Sequence, residues 1–395
     1  MTRFTISRRT FVGGAAGAAG LTAFGARVQA QLAMPSAPVA LNIIDVAGNL
    51  ALTQKAIENY RKEKPKAVSR ITFTKAPAPE LPGKIKAQQD ANRVDIDMVL
   101  TGTDALSAGL DQNLWIPVVK EHAKALPNLG EIYLEGAAKM QALAKDHGVV
   151  VTYYPSGPLL EYMPKVKTVP TTADELLAWT RGNKNRFLYA RPANSGPGRT
   201  FIMGLPYILG DSNPKDPMKG WDKTWAYLKA IGETIEYYPS GTGAVMKELG
   251  EGSRDMTVTT TGWDINPRVL GVVPKEAKVG AIKGFHWVTD AHYMCVPRGV
   301  PNDKLAVLLD LMSFLLTKPQ QAYTYDEGYF YPGPAVKGVT LDMAPEESQK
   351  AIKEFGRPEY DKLIADNPIE TPLDPDQMVL AFRRWDEEVG AAKRK

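Results

Sequence analysis

Two segments rich in glycine and hydroxyl residues lie where predicted helices begin. The first runs from Asn194 to Thr200 and the second from Ser240 to Gly243. Backbone N–H groups at a helix start lack internal partners, and small residues let a ligand oxygen approach them closely. Arg199 could add a charge-assisted hydrogen bond. The two segments therefore predict binding of a polar group, although ordinary helix caps would have the same composition.

The charged residues suggest two opposite kinds of ligand. Asp45, Asp264 and Asp290 could pair with a cationic amine. Arg199 and Arg268, together with the two helix starts, favour a carboxylate, phosphate or sulfonate. A zwitterionic or anionic small organic molecule fits most of these groups together, and the sequence predicts such a solute.

Aromatic residues at predicted strand ends and loops are candidate walls of a binding slot. Tyr154, Tyr238 and Trp263 are the preferred wall residues, and Tyr329 lies in a similar loop. Their rings present an apolar face together with a polar edge. Taken singly, each ring also fits a half-buried core position, but the rings cluster near two predicted strand crossings, which favours a shared slot.

The patterns of common metal sites and enzymes do not occur in the sequence. His122, His147, His286 and His292 lack the His-Glu-x-x-His spacing. Cys295, the single cysteine, lies in an apolar strand-like run, which indicates a core position. There is no Gly-x-Ser-x-Gly elbow, no Gly-x-x-x-x-Gly-Lys loop and no Gly-x-Gly-x-x-Gly fingerprint after a strand. The sequence therefore predicts no metal, no cofactor and no catalysis.

Short apolar strands alternate with longer amphipathic stretches along the chain, a pattern typical of α/β folds with mostly parallel sheets. In the first series, strands are predicted at 41–46, 71–74 and 96–100, and helices at 49–62 and around Ile85. These elements predict one α/β lobe.

A second series begins after the apolar segment 148–154, where we expect the chain to cross into a second lobe. Thr172 and Glu175 form a capping-box pattern at its first helix. Its predicted strands are 187–190, 235–238 and 256–259, with helices near 195–199, 221–231, from 242 and after 263. A second crossing near 292–296 is followed by predicted helices at 304–316, 319–325, 351–364 and 378–389.

Two lobes with a cleft between them follow from this order of elements. Residues 31–152 with 293–395 are expected to form the first lobe, and residues 153–292 the second. Loops at the carboxyl ends of strands point into such a cleft, and hinge closure over a ligand would follow. Candidate donors in the corresponding loops of the first lobe are Asp45, Gly48, Thr101 and Thr103.

The first 30 residues have the features of an export signal. Ser7–Val12 contains paired arginines, a Gly/Ala-rich apolar run extends to Phe24, and small residues allow cleavage near Ala30. The run is too short and too weakly apolar for a membrane span of about 20 residues. Paired arginines are typical of the twin-arginine class, so we expect a periplasmic mature protein.

Charge and length restrict the function further. Lysine and arginine number 48, aspartate and glutamate number 44, and the excess comes from four arginines of the predicted signal. The rest of the chain is neutral overall, so no basic field for nucleic acid is predicted. The 365 residues after Ala30 exceed the size at which a single core keeps growing, which favours two lobes.

Three segments resemble a known family, and the resemblance extends over essentially the whole mature chain. They are Phe187–Pro192 running into Gly198–Phe201, the turn and helix start Pro239–Met246, and Trp263–Arg268. The chain resembles periplasmic solute-binding proteins of bacterial ABC importers, in the group that includes polyamine, thiamine and ferric-iron binders, and looks most like its YnjB-like branch. The resemblance implies a two-lobed, type II periplasmic-binding-protein fold and delivery of a solute to a permease with its ATPase partner.

The resemblance does not name the solute. Ferric iron would need hard ligands such as paired tyrosines, and the pairs 153–154 and 237–238 lie outside segments similar to the iron-binding stretch, which disfavours iron. A secreted, twin-arginine-exported enzyme of α/β fold is the alternative function, and we expect a monomer. The candidate ligand-binding residues are Asp45, Gly48, Thr101, Thr103, Tyr154, Ser195, Arg199, Tyr238, Ser240, Thr242, Trp263, Asp264, Asp290 and Tyr329.

From the sequence we expect Trp263→Ala or Asp264→Ala to weaken solute binding without unfolding the protein. Calorimetric titration of the purified variants would measure the affinity. Loss of folding would instead indicate that the altered residue belongs to the core.

Overall fold

Two mixed β-sheets, each flanked by helices, organise the chain in the computed structural model, which describes residues 32–77 and 80–393. From residue 32 onward the described residues belong to one compact unit. The export signal predicted at 1–30 lies outside the described residues. The predicted α/β class is confirmed by this arrangement of sheets and helices.

The strands are short, except for the two that connect the sheets. They are β1 (Val39–Asp45), β2 (Val68–Lys75), β3 (Met98–Thr101), β4 (Gly148–Gly157), β5 (Leu159–Tyr162), β6 (Phe187–Leu188), β7 (Met256–Thr259), β8 (Lys278–Gly280), β9 (Trp287–Cys295), β10 (Gly333–Pro334) and β11 (Ile369–Glu370).

The helices fill the intervals between the strands and form most of the C-terminal part. They are α1 (Leu50–Glu63), α2 (Leu81–Asp90), α3 (Thr103–Asp111), α4 (Val118–Glu121), α5 (Leu129–Ile132), α6 (Glu135–Leu143), α7 (Ala173–Gly182), α8 (Gly196–Leu209), α9 (Asp222–Gly232), α10 (Thr242–Gly250), α11 (Thr261–Val269), α12 (Asn302–Leu315), α13 (Lys318–Gln321), α14 (Glu346–Phe355), α15 (Glu359–Asp366) and α16 (Pro375–Trp385). Across the described ranges, every helix is too short or too polar to cross a membrane.

The first sheet has seven strands in the order β10-β4-β9-β3-β1-β2, with β11 paired to β9. β1 runs parallel to β2 and β3, but β9 runs antiparallel to both β3 and β4. The second sheet has the order β6-β7-β5-β8. In that sheet β6 is parallel to β7, and β5 is antiparallel to both of its neighbours.

The expectation of mostly parallel sheets is therefore wrong. β4 leads the chain out of the first sheet, β9 leads it back, and the two strands lie side by side. Neighbouring strands that run in opposite directions can pair only in the antiparallel manner. The chain changes sheet between Gly157 and Leu159 and again between Gly280 and Trp287. The lobe boundaries at 152/153 and 292/293 stay a prediction.

The two connecting strands are buried along their whole length. Every residue of β4 and of β9 is buried. Both strands have neighbours on each side, and their buried residues include polar side chains such as Thr152, Asp290 and His292. Cys295 ends β9 inside the core, where burial raises the pKa of its thiol. The predicted core position of this cysteine is confirmed.

Side chains cap the helices at positions that the sequence indicates. Thr172 Oγ1 accepts a hydrogen bond from Glu175 N at 3.1 Å at the start of α7. The Glu175 carboxylate accepts from Thr171 N at 2.8 Å, one residue earlier than in a standard capping box. Ser195 caps α8 and Thr260 caps α11 through their hydroxyl groups.

Two predicted elements differ from the structure. Residues 235–238, predicted as a strand, form an irregular segment in which Ile235 and Tyr238 are buried and the two residues between them are exposed. Burial at a spacing of three does not match the two-residue period of a strand. The single helix predicted at 351–364 is two helices, because the chain turns at Pro358 before α15.

The C-terminal segment packs against both sheets. Tyr360 of α15 lies in a buried cluster with Leu159 and Trp287. Met378 and Trp385 of α16 belong to the core beside the second sheet. α16 also packs along α3, next to the first sheet. We expected the whole C-terminal segment to return to the first lobe. The segment packs beside the first sheet, but it also packs beside the second.

Trp385 tests how much the tail stabilises the fold. Its ring centroid lies 4.9 Å from that of Tyr238, and its Nε1 donates a hydrogen bond to Tyr189 Oη at 3.0 Å. We expect Trp385→Ala to lower the free energy of unfolding by about 3–5 kcal/mol, because a large buried side chain is removed. Urea denaturation followed by circular dichroism measures the change. The control Arg383→Ala, exposed on the same helix, should change it by less than about 0.5 kcal/mol. Equal losses in the two variants would contradict this role.

Candidate functional site

A cavity of about 210 Å³ lies where loops of the first sheet meet the first turns of three helices. The loops after β1 and β3 contribute from one direction, and the starts of α8, α10 and α11 from the other. β4, β9 and the segment before β10 supply the remaining residues. The lining residues are Val46, Ala47, Gly102, Asp104, Tyr154, Asn194, Ser195, Gly196, Arg199, Gly241, Thr242, Trp263, Asp290, His292, Tyr329 and Phe330.

Arg199 lies at the centre of the polar part of this cavity. Its guanidinium donates to Asp104 Oδ2 at 3.1 Å and to Asp290 Oδ2 through its other terminal nitrogen. The side chains of Arg199 and Asp290 are buried, and that of Asp104 is 13% exposed. Asp290 Oδ1 also accepts from Thr103 Oγ1 at 2.9 Å. One cation therefore joins α8, α3 and β9.

Burial shifts the protonation of two groups that line the cavity. Burial raises the pKa of Asp104, and Asp290 adds to this, although Arg199 opposes it. Burial lowers the pKa of His292 to about 4, against the attraction of Asp290. His292 is therefore neutral near pH 7. The cavity presents two acidic side chains and one permanently charged cation.

Two polar atoms of the lining have no hydrogen-bond partner among the described residues. They are His292 Nδ1 and Tyr154 Oη, and both side chains are buried. The ring of Phe330 packs against both side chains, with its centroid 4.0 Å from that of His292 and 3.6 Å from that of Tyr154. A buried unpaired polar group costs about 1–3 kcal/mol, so a bound molecule that satisfies these atoms would gain that energy.

Aromatic rings cover another part of the lining. The Trp263 and Tyr329 rings meet edge to face at 5.4 Å, and Tyr329 Oη donates to Ala47 O at 3.3 Å. Gly48 lies under the Tyr329 ring with a φ of +76°, and an added Cβ there would collide with the phenol oxygen. Gly48 therefore allows the aromatic wall to form without lining the cavity itself.

The helix starts around the cavity differ in their free hydrogen-bonding capacity. Ser195 Oγ accepts from Gly198 N at 3.0 Å and lies 2.7 Å from Thr242 Oγ1, so the α8 start is capped internally. The Asp45 carboxylate accepts from three backbone N–H groups at the start of α1, which places a built-in anion there. At α10 the N-cap residue is Gly241, and no side chain caps this helix.

Seven of the fourteen residues predicted for the site line this cavity, and their contact with a solute stays a prediction. They are Tyr154, Ser195, Arg199, Thr242, Trp263, Asp290 and Tyr329. Four others lie next to the lining: Asp45 and Thr101 end β1 and β3, Thr103 begins α3, and Gly48 lies in the turn after β1.

The remaining three predicted residues lie outside the lining. Tyr238 packs in the core against Tyr189, with ring centroids 5.0 Å apart. Ser240 is exposed, and its carbonyl accepts from Asn194 Nδ2 at 2.8 Å. Asp264 is fully buried in a separate charged cluster.

Asp264 joins α11 to the C-terminal segment. Its oxygens accept from Arg268 at 3.0 and 3.1 Å, from Arg357 at 2.7 and 2.9 Å, and from Tyr360 Oη at 2.6 Å. All the acceptor capacity of this carboxylate is directed to the protein. The structure therefore places Asp264 in a stabilising cluster instead of in the cavity with its neighbour Trp263.

Nine residues of the lining were not among the predicted site residues, and Asp104, His292 and Phe330 are three of them. Asp104 follows β3 and was equally compatible with a simple helix cap. His292 lies two residues after Asp290 on β9, so the strand period alone places both on one face. Phe330 follows Tyr329 in a segment whose position only the tertiary structure provides.

The described ranges contain no group of three or more His, Cys, Asp or Glu side chains arranged to hold a metal ion. Tyr153 and Tyr154 are consecutive on β4 and point to opposite faces, so they do not converge on one site. Tyr237 is exposed and hydrogen-bonds to Glu248.

Comparisons with known proteins agree with this architecture. A family model described as "Bacterial extracellular solute-binding protein" matches residues 55–354. No curated protein matches the chain.

Several solved structures share the fold. The spermidine/putrescine ABC transporter substrate-binding protein PotD from Streptococcus pneumoniae is 13% identical, with a TM-score of 0.59, over 88% of this chain and 99% of that chain. The periplasmic binding protein AfuA from Actinobacillus pleuropneumoniae, with fructose-6-phosphate bound, is 15% identical, with a TM-score of 0.61, over 89% and 98%. A periplasmic thiamin binding protein is 12% identical, with a TM-score of 0.62, over 92% and 100%. These likenesses show a shared fold, the type II periplasmic-binding-protein fold expected from the sequence.

Asp264 provides a direct test of the charged cluster. We expect Asp264→Ala to lower the free energy of unfolding by about 3–5 kcal/mol, because Arg268 and Arg357 would lose their buried partner. Urea denaturation measures the change. Asp361→Ala, which removes an exposed carboxylate from α15, is the control and should cost less than about 1 kcal/mol. Unchanged stability together with lost solute binding would return Asp264 to the site.

Glu161 of β5 makes stability near this cluster depend on pH. Neither of its carboxyl oxygens has a hydrogen-bond partner among the described residues. Burial raises its pKa well above the usual range, and Asp264 adds to this, although Arg268 opposes it. A folded pKa above the unfolded value favours the protonated, folded state. This contribution is fully present below the unfolded pKa of about 4.3 and is lost as the pH rises toward the folded pKa.

We therefore expect Glu161→Gln to remove this loss of stability. Its free energy of unfolding, minus that of the unaltered protein, should grow as the pH rises above the unfolded pKa of about 4.3. Urea denaturation at a series of pH values measures this difference. A difference that stays constant over the series would show that Glu161 titrates normally.

Proposed function

Because the chain belongs to the family of bacterial extracellular solute-binding proteins, we propose that it captures a small polar solute and delivers it to the permease of an ABC importer. The observation that carries this proposal is the cavity around Arg199, where strands and loops of the first sheet and the starts of α8, α10 and α11 surround a polar centre. Solved structures of the same fold include an ABC transporter substrate-binding protein. The partners would be the permease and its ATPase, with the protein acting as a monomer.

The N-terminal sequence supports a place of action outside the cytoplasm. The family name already indicates an extracellular or periplasmic protein. The paired arginines at 8 and 9, the apolar run and the small residues before Ala30 support export by the twin-arginine route and cleavage near Ala30. The mature protein would then act in the periplasm.

Closure of the two sheets over the solute is part of the proposal. The described chain passes between the sheets at the ends of β4 and β9, and both strands contribute lining residues. Movement about these two connections would change the distance between Arg199 on α8 and Asp104 on α3. The ion pair between them would then form or break with closure.

The polar groups of the cavity support binding without chemistry. Ser195 Oγ is engaged by Thr242 Oγ1 and by Gly198 N, so it is not placed as a nucleophile beside a base. Arg199 is held by two carboxylates, which leaves it a structural cation. These contacts argue against the secreted enzyme considered as the alternative.

The contacts of Arg199 with Asp104 and Asp290 also restrict the chemical class of the solute. A purely anionic solute, one of the classes favoured by the sequence, would meet Asp104 and Asp290 beside the only arginine of the lining. A zwitterionic solute avoids this repulsion at one of its ends. We therefore retain the zwitterionic class and give less weight to the anionic one.

A solute screen by thermal unfolding tests the function. Amino acids, amines, organic acids, phosphonates, thiamine and ferric iron would each be added to the purified full chain. A ligand at 100 times its dissociation constant adds about 2.7 kcal/mol of stability and raises the midpoint visibly. Absence of any shift, together with no small molecule in the denatured sample by mass spectrometry, would contradict the proposal.

Gly196 allows the cavity itself to be tested with the solute found. A Cβ at this position would lie 3.4 Å from Tyr154 Oη and 3.7 Å from Asp290 Oδ2, in ordinary contact. We expect Gly196→Ala to fold normally and to bind about tenfold more weakly, because its methyl group occupies part of the cavity. Gly243→Ala, whose Cβ would meet nothing within 4 Å, is the control. Unchanged affinity in Gly196→Ala, measured by calorimetric titration, would place the solute elsewhere.

A further inference from the structure

The polar centre of the cavity holds more negative than positive charge. Asp104 and Asp290 face the single guanidinium of Arg199. Asp45 lies nearby, buried at the start of α1. We infer that the solute carries a protonated primary or secondary amine, and that this ammonium group binds to Asp104 and Asp290 beside Arg199. The inference rests on the proposed function.

The two carboxylates have room for a second cation. Asp290 Oδ1 is used by Thr103 Oγ1 and by Ala291 N, and Asp104 Oδ1 by Ala105 N. Each Oδ2 atom accepts from Arg199. An ionised carboxylate offers about four acceptor positions, so both groups can accept further hydrogen bonds. An ammonium group supplies three donors and one positive charge, which would balance the second carboxylate.

The protonation of the lining agrees with an uncompensated negative charge. The pKa of Asp104 is raised by burial and by Asp290 in spite of Arg199. A cation placed next to Asp104 would stabilise its ionised form. His292, whose pKa is lowered to about 4, adds no positive charge near pH 7.

Unpaired buried atoms provide a second, independent indication of a ligand. His292 Nδ1 and Tyr154 Oη both line the cavity and have no partner among the described residues. The Tyr154 hydroxyl can accept a hydrogen bond from an N–H group through its oxygen, and His292 Nδ1 can accept one when the neutral ring carries its proton on Nε2.

Aromatic faces favour the same charge. Trp263 and Tyr329 line the cavity, whereas the Phe330 ring packs against His292 and Tyr154. A cation over such a ring gains about 0.5–2 kcal/mol, whereas an anion gains nothing from its face. Rings and carboxylates in one small cavity thus act together on an ammonium group.

The ammonium group could belong to a simple amine or to a zwitterion. The start of α10, where Gly241 provides no side-chain cap, also borders the cavity and would suit a carboxylate at the other end of a zwitterion. Both kinds of solute contain the inferred group, and an experiment can separate them.

The experiment captures the solute directly. The full chain, expressed with its own N-terminus, would be incubated with a filtered small-molecule extract of bacterial cells, washed and denatured. Mass spectrometry, with and without dansyl labelling of amines, would identify what is released. We expect a labelled amine, and the presence or absence of a carboxylate in it would distinguish a zwitterion from a simple amine. A captured solute without a protonated amine would overturn the inference while supporting the proposed function.

Variants locate the binding of the amine. We expect the Asp104→Asn variant to retain at most about one tenth of the amine that the unaltered protein retains, because the ammonium group loses a charged partner. Asp111→Asn, which removes an exposed carboxylate at the other end of α3, is the matched control and should retain as much as the unaltered protein. Equal retention by the two variants would overturn the assignment to Asp104. Thermal unfolding of each variant verifies that it is folded. The chemical class of the solute captured by the unaltered protein is determined independently of these variants. Release of no solute from the unaltered protein would reject the proposed function, and this inference with it.

Discussion

The ion pair of Arg199 with Asp104 and Asp290 is the interaction on which the site depends. All three groups are largely buried, so their charges interact strongly, and loss of Arg199 would leave two carboxylates without a cation in the interior. The three residues come from α8, α3 and β9, which are far apart in sequence. Their contacts hold the start of α8 against β9 and the start of α3. The cavity is the space that remains between these elements.

The antiparallel pair β4–β9 has two roles in the same molecule. It carries both passages of the chain between the sheets, and it places Tyr154 opposite Asp290 and Thr152 opposite His292. Residues that line the cavity are therefore fixed to the same strands that connect the sheets. A change in the angle between the sheets would therefore move the groups proposed to bind the solute.

Two consecutive residues at the start of α11 have different roles, one in the cavity and the other in the stability of the fold. Trp263 lines the cavity, whereas Asp264 is enclosed by Arg268, Arg357 and Tyr360. Neighbouring residues on a helix point about 100° apart, so one can face the cavity while the next faces the core. The tail thereby anchors the helix that presents an aromatic wall, and it reaches both sheets through α15 and α16.

The sequence determined the local features, because they depend on neighbours within a few residues. The strand Met256–Thr259, the cap at Thr172, the core position of Cys295 and the glycine-lined helix starts were all predictable from residue type and spacing. The α/β class followed from the alternation of strands and helices. Half of the predicted site residues line the cavity, and four of these seven lie at helix starts.

Only the tertiary structure decided which of these features meet. Asp104 and Asp264 are both acidic residues near a helix start, yet one faces Arg199 in the cavity and the other faces Arg357 in the core. Phe330 gave no local signal, and the sequence of β9 did not show that this strand pairs antiparallel with β3 and β4. Charge balance in a cavity depends on side chains separated by tens to hundreds of residues. No local pattern records their distances, so the sequence indicated binding and the fold determined the charge that the site presents.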